Sequence, residues 1–330
     1  LSADSKDQVW RVSRYGSEPL YVYEPNQDTW LVHFKDNAVS TLDEYVDLFI
    51  DSNNYKWISL QSSTGDGTGL LVLDTNDPMN TQDNRGVKLT TSAVNGNLPD
   101  NKVNAFLEDK NGEVWIGTAR GIARFLFPRF IVDSQRSSER QSQWLLNEDT
   151  SAVSRYLLRD SNVSAMAVNG ANQKWIGSVN QGLWLLNEEG SAILKRYTED
   201  NSPLISNNIL SITVNEESGE VFVATDRGLV SFIDIAQSPK TTMGSLKIYP
   251  NPFLYDQHER IIIENLSQAT RIRVLDAGGN VVHELQASGG RVQWDGYDSR
   301  GRRLSSGVYF LVAWDVKEGE RGVGKVVIIR

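Results

Sequence analysis

A short pattern that returns five times constrains this chain more than any other feature. In "GEVWIGTARGIARF" (Gly112 to Phe125) a strand carrying Trp115 enters a tight turn at Gly121 and leaves as a second strand. "NQKWIGSVNQGLWLL", "NYKWISLQSSTGDGTGLLVL", "DQVWRVSRYGSEPLYVY" and "GEVFVATDRGLVSF" repeat the scheme. The anchors are Trp10, Trp57, Trp115, Trp175 and Phe222, with separations of 47, 58, 60 and 47 residues. Self-similarity at such a period marks a repeat architecture.

Four anchors carry the same lead-in. Val103 and Val163 stand twelve residues before Trp115 and Trp175, Val46 eleven before Trp57, and Ile209 thirteen before Phe222. The alternations Val103, Ala105, Leu107 and Val163, Ala165, Ala167 have the period of a half-buried strand. Asn111-Gly112, Asn53-Asn54 and Ser218-Gly219 tolerate the positive φ of a hairpin turn. A fourth strand is expected in some copies, at Asp28 to Phe34 and Ala192 to Thr198. Units of about 45 residues or more with four antiparallel strands read as β-propeller blades. A β-sandwich with coincidental turns is the alternative. Trp115 is expected to pack between neighbouring blades, a sugar-stacking platform being the other use of such a ring.

These units resemble the two-component regulator propeller repeats of Bacteroidetes surface sensors and exported proteins. Asn97 to Phe125 carries the likeness best: Leu98, Asn101 and Val103, then Glu108-Asp109 and Gly112, then Trp115-Ile116-Gly117-Thr118 and Gly121. Leu204 to Phe232 keeps Leu204, Ser206-Asn207 and Ile209 but has Phe222 for the usual Trp. The resemblance implies a seven-bladed ring, so residues 1–233 are expected to be part of a propeller whose earlier blades and signal peptide lie upstream. One copy is stretched by Phe127 to Asp160, whose polar run "SQRSSERQSQ" is expected to be a loop. Such a loop is either a disordered excursion or a recognition element.

After Phe232 the pattern changes. Residues 234–245, small and polar with Pro239, read as a linker. Residues 246–330 read as a small β-sandwich of Ig-like size and patterning, with turns at Ala277 to Asn280 and Ser299 to Gly301. "Tyr249-Pro250-Asn251-Pro252", "Trp294-Asp295-Gly296" with "Gly307-Val308-Tyr309", and the final "Gly324-Lys325-Val326-Val327-Ile328" resemble the C-terminal sorting domain of type IX secretion substrates. An FlgD-type Ig module shares only the middle run.

Charge separates the two parts: residues 246–330 hold 12 basic and 10 acidic side chains, and the remainder 21 and 32. A surface as acidic as the remainder argues against nucleic acid as a partner. No apolar run approaches the length of a membrane-spanning helix. With no cysteine and three histidines standing apart, His33, His258 and His283, no metal site is indicated. No nucleophile elbow or P-loop occurs. Thr64 to Gly69 reads as a flexible turn, with a calcium loop as the alternative. No catalytic, cofactor-binding or metal-binding residue is assigned, and the chain is expected not to be an enzyme. A propeller glycosidase or lyase would need paired carboxylates that only the fold can reveal.

The two resemblances together imply an all-β, non-enzymatic component of the type IX secretion and anionic-lipopolysaccharide attachment machinery. It would act at the cell surface, on the outer face of the outer membrane, after export through the periplasm. The implied partners are the outer-membrane sortase and other type IX proteins, with anionic lipopolysaccharide or another glycan as ligand. The alternative is an exported glycan- or peptide-binding propeller cargo whose sorting tail is cleaved.

Overall fold

The computed structural model describes residues 1–330 apart from 34–35, 78–79, 81, 134–135, 150–153, 235 and 316–318, and the side chains of 137 and 288. The expected strand end at Phe34 lies outside the described residues. Apart from two short 3-10 turns, the regular structure among the described residues is all β-strand.

Five small antiparallel sheets follow one another in sequence. The first holds β1 (Ser2–Ala3), β2 (Val9–Val12), β3 (Leu20–Glu24) and β4 (Thr29–His33). The second holds β5 (Glu44–Ile50), β6 (Lys56–Gln61), β7 (Gly67–Asp74) and β8 (Arg85–Leu89). The third holds β9 (Val103–Glu108), β10 (Val114–Thr118), β11 (Gly121–Phe125) and β12 (Gln143–Trp144). The fourth holds β13 (Val163–Val168), β14 (Lys174–Ser178), β15 (Leu183–Leu186) and β16 (Ile193–Tyr197). The fifth has three strands, β17 (Ile209–Asn215), β18 (Glu220–Thr225) and β19 (Gly228–Ile233). These are the blades, and every anchor sits on the second strand of its own blade.

The lead-in alternations bury Val103, Ala105, Leu107 and Val163, Ala165, Ala167 as expected. Val46 departs from the scheme. The register of β5 on β6 shifts between Tyr45 and Asp47, so Tyr45 turns inward and Val46 does not. The third blade has the same shift beside Val103, and Tyr45, twelve residues before Trp57 as Val103 is before Trp115, is therefore the equivalent position.

β20 (Lys247–Tyr249), β21 (Phe253–Leu254), β22 (Ile261–Glu264), β23 (Ala269–Leu275), β24 (Val281–Ser288), β25 (Arg291–Trp294), β26 (Gly307–Asp315) and β27 (Arg321–Ile329) form the last part of the chain. They make a three-stranded sheet, β20-β22-β25, and a five-stranded sheet, β21-β27-β26-β23-β24. Ile261, Ile263 and Trp294 from the smaller sheet share one core with Ile272, Val274, Leu311, Ala313, Val326 and Ile328 from the larger. Burial between two sheets makes this part a β-sandwich.

The chain divides into two compact units: 1–167, 174–212 and 223–229 in one, and 168–173, 213–222 and 230–330 in the other. Within the second unit, residues 236–246 are held at several points. The amide of Ser238 donates to the Glu216 carbonyl at 3.1 Å, and that of Lys240 to the Leu266 carbonyl at 2.8 Å. The amide of Leu246 donates to the Val323 carbonyl at 3.0 Å, and Met243 enters the sandwich core. Two apolar side chains in a polar stretch, Ala236 and Met243, bury themselves and take the backbone with them.

Candidate functional site

Three of the anchors are tied to a carboxylate on the turn that precedes their strand. The indole Nε1 of Trp10 donates to Asp4 Oδ2 at 3.0 Å, that of Trp57 to Asp51 Oδ2 at 3.0 Å, and that of Trp115 to Asp109 Oδ2 at 3.1 Å. In each case the acid lies six residues before the Trp. The other oxygen of Asp109 accepts from the amides of Asn111 and Glu113, at 2.9 and 3.1 Å, and so closes the hairpin turn. Asp4 and Asp51 close their turns in the same way. In the fourth blade Asn169 takes the acid's place, accepting from Ala171 and Gln173 while its amide donates to Asp234 at 2.7 Å. In the fifth blade Asn215 holds the turn, and the aromatic is Phe222, which has no N–H to offer.

The seams between blades are completed by the residue before the next anchor. Lys56 Nζ lies 4.1 Å from the Trp10 ring centroid, and Lys174 Nζ 4.7 Å from that of Trp115. Lys174 also meets Asp109 Oδ2 at 2.8 Å, with both side chains fully buried. Val114 fills the corresponding place against the core of Trp57. Burial pulls the Lys56 ammonium down to about 8 from an ordinary 10.5. It pulls Lys174 down too, and Asp109 pulls that group part of the way back. Gly190 runs so close to Trp115 that a Cβ there would stand 2.4 Å from the ring.

Trp10, Trp57, Trp115 and Trp175 have no exposed surface, so none of these rings can stack on a ligand. Gly121 has φ of +118°, and its turn needs that conformation rather than space, since a Cβ would meet only ordinary contacts at 3.4 Å and beyond. In the turn expected at Thr64 to Gly69, Thr64 donates to Asp66 at 2.7 Å. His33 is buried against Trp10, His258 Nδ1 accepts from the Leu254 amide at 3.0 Å, and His283 stacks on Trp294. Among the described residues, no three metal-ligating side chains come together.

The long insertion after β11 supplies a concave surface with exposed aromatic rings. Of its polar run 134–143, residues 134–135 lie outside the described residues, 137–140 form a 3-10 turn, and Gln143 starts β12. The insertion is anchored at both ends. Tyr55 Oη donates to the Arg129 carbonyl at 3.1 Å, and Ile131 and Val132 enter the core beside Trp57. Farther on, Ser142 Oγ and the Trp144 indole both donate to the Asn97 carbonyl, each at 2.8 Å, and Asn97 Nδ2 donates back to Ser142. Between these anchors opens a cleft of about 410 Å³ lined by Phe125, Phe127, Phe130, Ser138, Glu139, Gln141 and Gln143. Phe127 is 62% exposed and Phe130 41%. Two exposed rings facing a carboxylate, a hydroxyl and two amides can hold the apolar face and the hydroxyls of a sugar, or an extended peptide.

The Two component regulator propeller family matches residues 97–120, the lead-in and first hairpin of the third blade. A sequence search of curated proteins finds no match. A solved structure of PorZ, described as an essential bacterial surface component of the type-IX secretion system of human oral-microbiomic Porphyromonas gingivalis, covers 99% of this chain at a TM-score of 0.75 and 25% identity. The chain is similar to PorZ. It spans 44% of the PorZ chain, so it corresponds to less than half of that protein. The extracellular domain of a putative hybrid two component system from B. thetaiotaomicron also aligns over the whole chain, at 13% identity and a TM-score of 0.47, covering 55% of that protein. The likeness to PorZ includes residues 246–330, beyond the repeats that the family match detects. No helix among the described residues is long and apolar enough to cross a membrane.

Proposed function

We propose that this chain is a non-enzymatic surface component of a type IX secretion system, a scaffold for the sortase that attaches anionic lipopolysaccharide to cargo. The observation that carries the reading is the similarity to PorZ along nearly the whole chain, propeller blades and terminal sandwich together. The buried anchors support it: the repeated aromatics hold blades together and leave recognition to the insertion cleft. The packing of residues 234–246 supports it as well. A protease needs an extended segment in its cleft, and Met243 would have to leave the sandwich core to supply one. This packing supports a module that stays attached, as suits a machine part rather than a passenger.

The second reading, a cargo that binds glycan or peptide and loses its tail, is favoured by the aromatic cleft beside Phe127 and Phe130. Deleting the gene in its own bacterium separates the two. A machine component is needed for other type IX cargo to reach the surface with lipopolysaccharide attached, and that cargo should accumulate unmodified in the deletion strain. Normal display of all other cargo would overturn the scaffold reading.

A further inference from the structure

The five-stranded sheet of the terminal module turns one face to its core and the other to solvent. The cross-strand register fixes what the outer face carries. One row runs Gln286, Arg271, Trp314, Arg321, and the next Glu284, Arg273, Val312, Val323. A third runs Val281, Leu275, Phe310, Lys325. Along the central strand β26, Val308, Phe310, Val312 and Trp314 thus make an apolar column with cations on both sides. Phe310 is 44% exposed and Val323 61%. Such side chains in register on one sheet face form a patch rather than scattered surface apolars.

The charges on this face do not cancel. Arg273 pairs with Glu284 at 2.8 Å, while Arg271, Arg321 and Lys325 have no carboxylate within ion-pair distance among the described residues. A cleft of about 260 Å³ opens beside Arg271, Arg273, Gln286 and Trp314, with the Glu284 carboxylate that Arg273 holds also on its wall. The Arg271 guanidinium suits the oxygens of a phosphate, and the Trp314 indole suits the level at which headgroups meet acyl chains. Residues 1–245, with 32 acidic side chains against 21 basic, are repelled by any anionic layer.

We propose that the outer face of the five-stranded sheet rests on a membrane surface rich in phosphate-bearing headgroups. The flanking cations contact phosphates, and the β26 column dips its rings into the apolar boundary. This goes beyond the scaffold reading, since it concerns what the module rests on rather than what it assembles.

The test is co-sedimentation of the full chain with vesicles of phosphatidylglycerol and phosphatidylcholine in equal parts, against vesicles of phosphatidylcholine alone. The chain should bind the anionic vesicles, weakly or not at all the neutral ones, and less as salt rises. The combined variant Arg271→Ser, Arg321→Ser, Lys325→Ser should lose about a hundredfold in affinity, at roughly fivefold per cation. Its urea midpoint should be unchanged, since all three side chains are exposed. Phe310→Ser, tested separately, should weaken binding without changing its salt dependence. Binding to neither vesicle, equal binding to both, or an unaffected triple variant would overturn the proposal. Capture of polyglutamate without vesicle binding would overturn it in favour of an acidic protein partner. Lipid-independent dimers abolished by the triple variant would overturn it in favour of a second copy.

Discussion

Asp109 and Trp115 are joined across a hairpin turn by a hydrogen bond of 3.1 Å, and Lys174 of the next blade closes on the same carboxylate oxygen at 2.8 Å. One side chain therefore caps a turn, fixes an indole and balances a buried ammonium. Local turn chemistry and the packing of one blade on the next depend on a single group.

Replacing Asp109 by Ala removes all three functions and leaves Lys174 buried without its counter-charge. Breaking a buried pair from one side costs about 3–5 kcal/mol. We expect the urea midpoint to fall accordingly, and Trp115→Ala to cost a similar 3–5 kcal/mol. The double variant should cost much less than the sum, because the two groups share one interaction. Strict additivity would show that the Asp–Trp bond does not couple them.

Lys56 predicts a pH dependence. With a folded pKa of about 8 against 10.5, the folded chain binds fewer protons than the unfolded one between those values. Stability should therefore rise with pH across that window, by about 3 kcal/mol in total, the penalty being fully present below pH 8. Lys56→Met should remove this rise and leave the chain no less stable at pH 7. The check is the midpoint difference between variant and parent measured from pH 7 to pH 11. A difference that stays flat would show that the lysine is hydrated in the fold.

Glu264 predicts the opposite dependence in the terminal module. Burial pushes its carboxyl up, but hydrogen bonds from Tyr249 and Arg291 and the Lys247 ammonium outweigh that and bring it down to about 2 from 4.5. A depressed acid stabilises the fold above its unfolded pKa and ceases to do so as pH falls through the folded value. Acidification from pH 4.5 towards 2 should thus remove about 3 kcal/mol. Glu264→Gln should be less stable at neutral pH and lose less on acidification, as read by the urea midpoint of the chain at each pH.

The blade scheme was legible in the sequence because it rests on period-two burial and on turns that need particular residues. Trp10, Trp57, Trp115, Trp175 and Phe222 all fall on second strands for that reason. The acid six residues before three of the anchors was also visible, as Asp4, Asp51 and Asp109, yet strand periodicity gives no reason to look across a turn. Lys56 and Lys174 were less legible still. A lysine beside a Trp reads as surface until the next blade covers it. In residues 234–245 the composition is polar, and it does not mark which positions are held: Ala236 and Met243 are buried among exposed and half-buried neighbours. The insertion cleft depends on distant partners, Tyr55 and Asn97, which no local pattern connects to Phe127.

The central claim is that the terminal module stays on the working protein, and intact-mass analysis of protein purified from the native cell envelope tests it most directly. The account predicts a single homogeneous species that includes residues 246–330 and carries no polysaccharide. A species ending between Thr241 and Ser245, with the spread of masses that attached lipopolysaccharide gives, would contradict it and establish the chain as cargo.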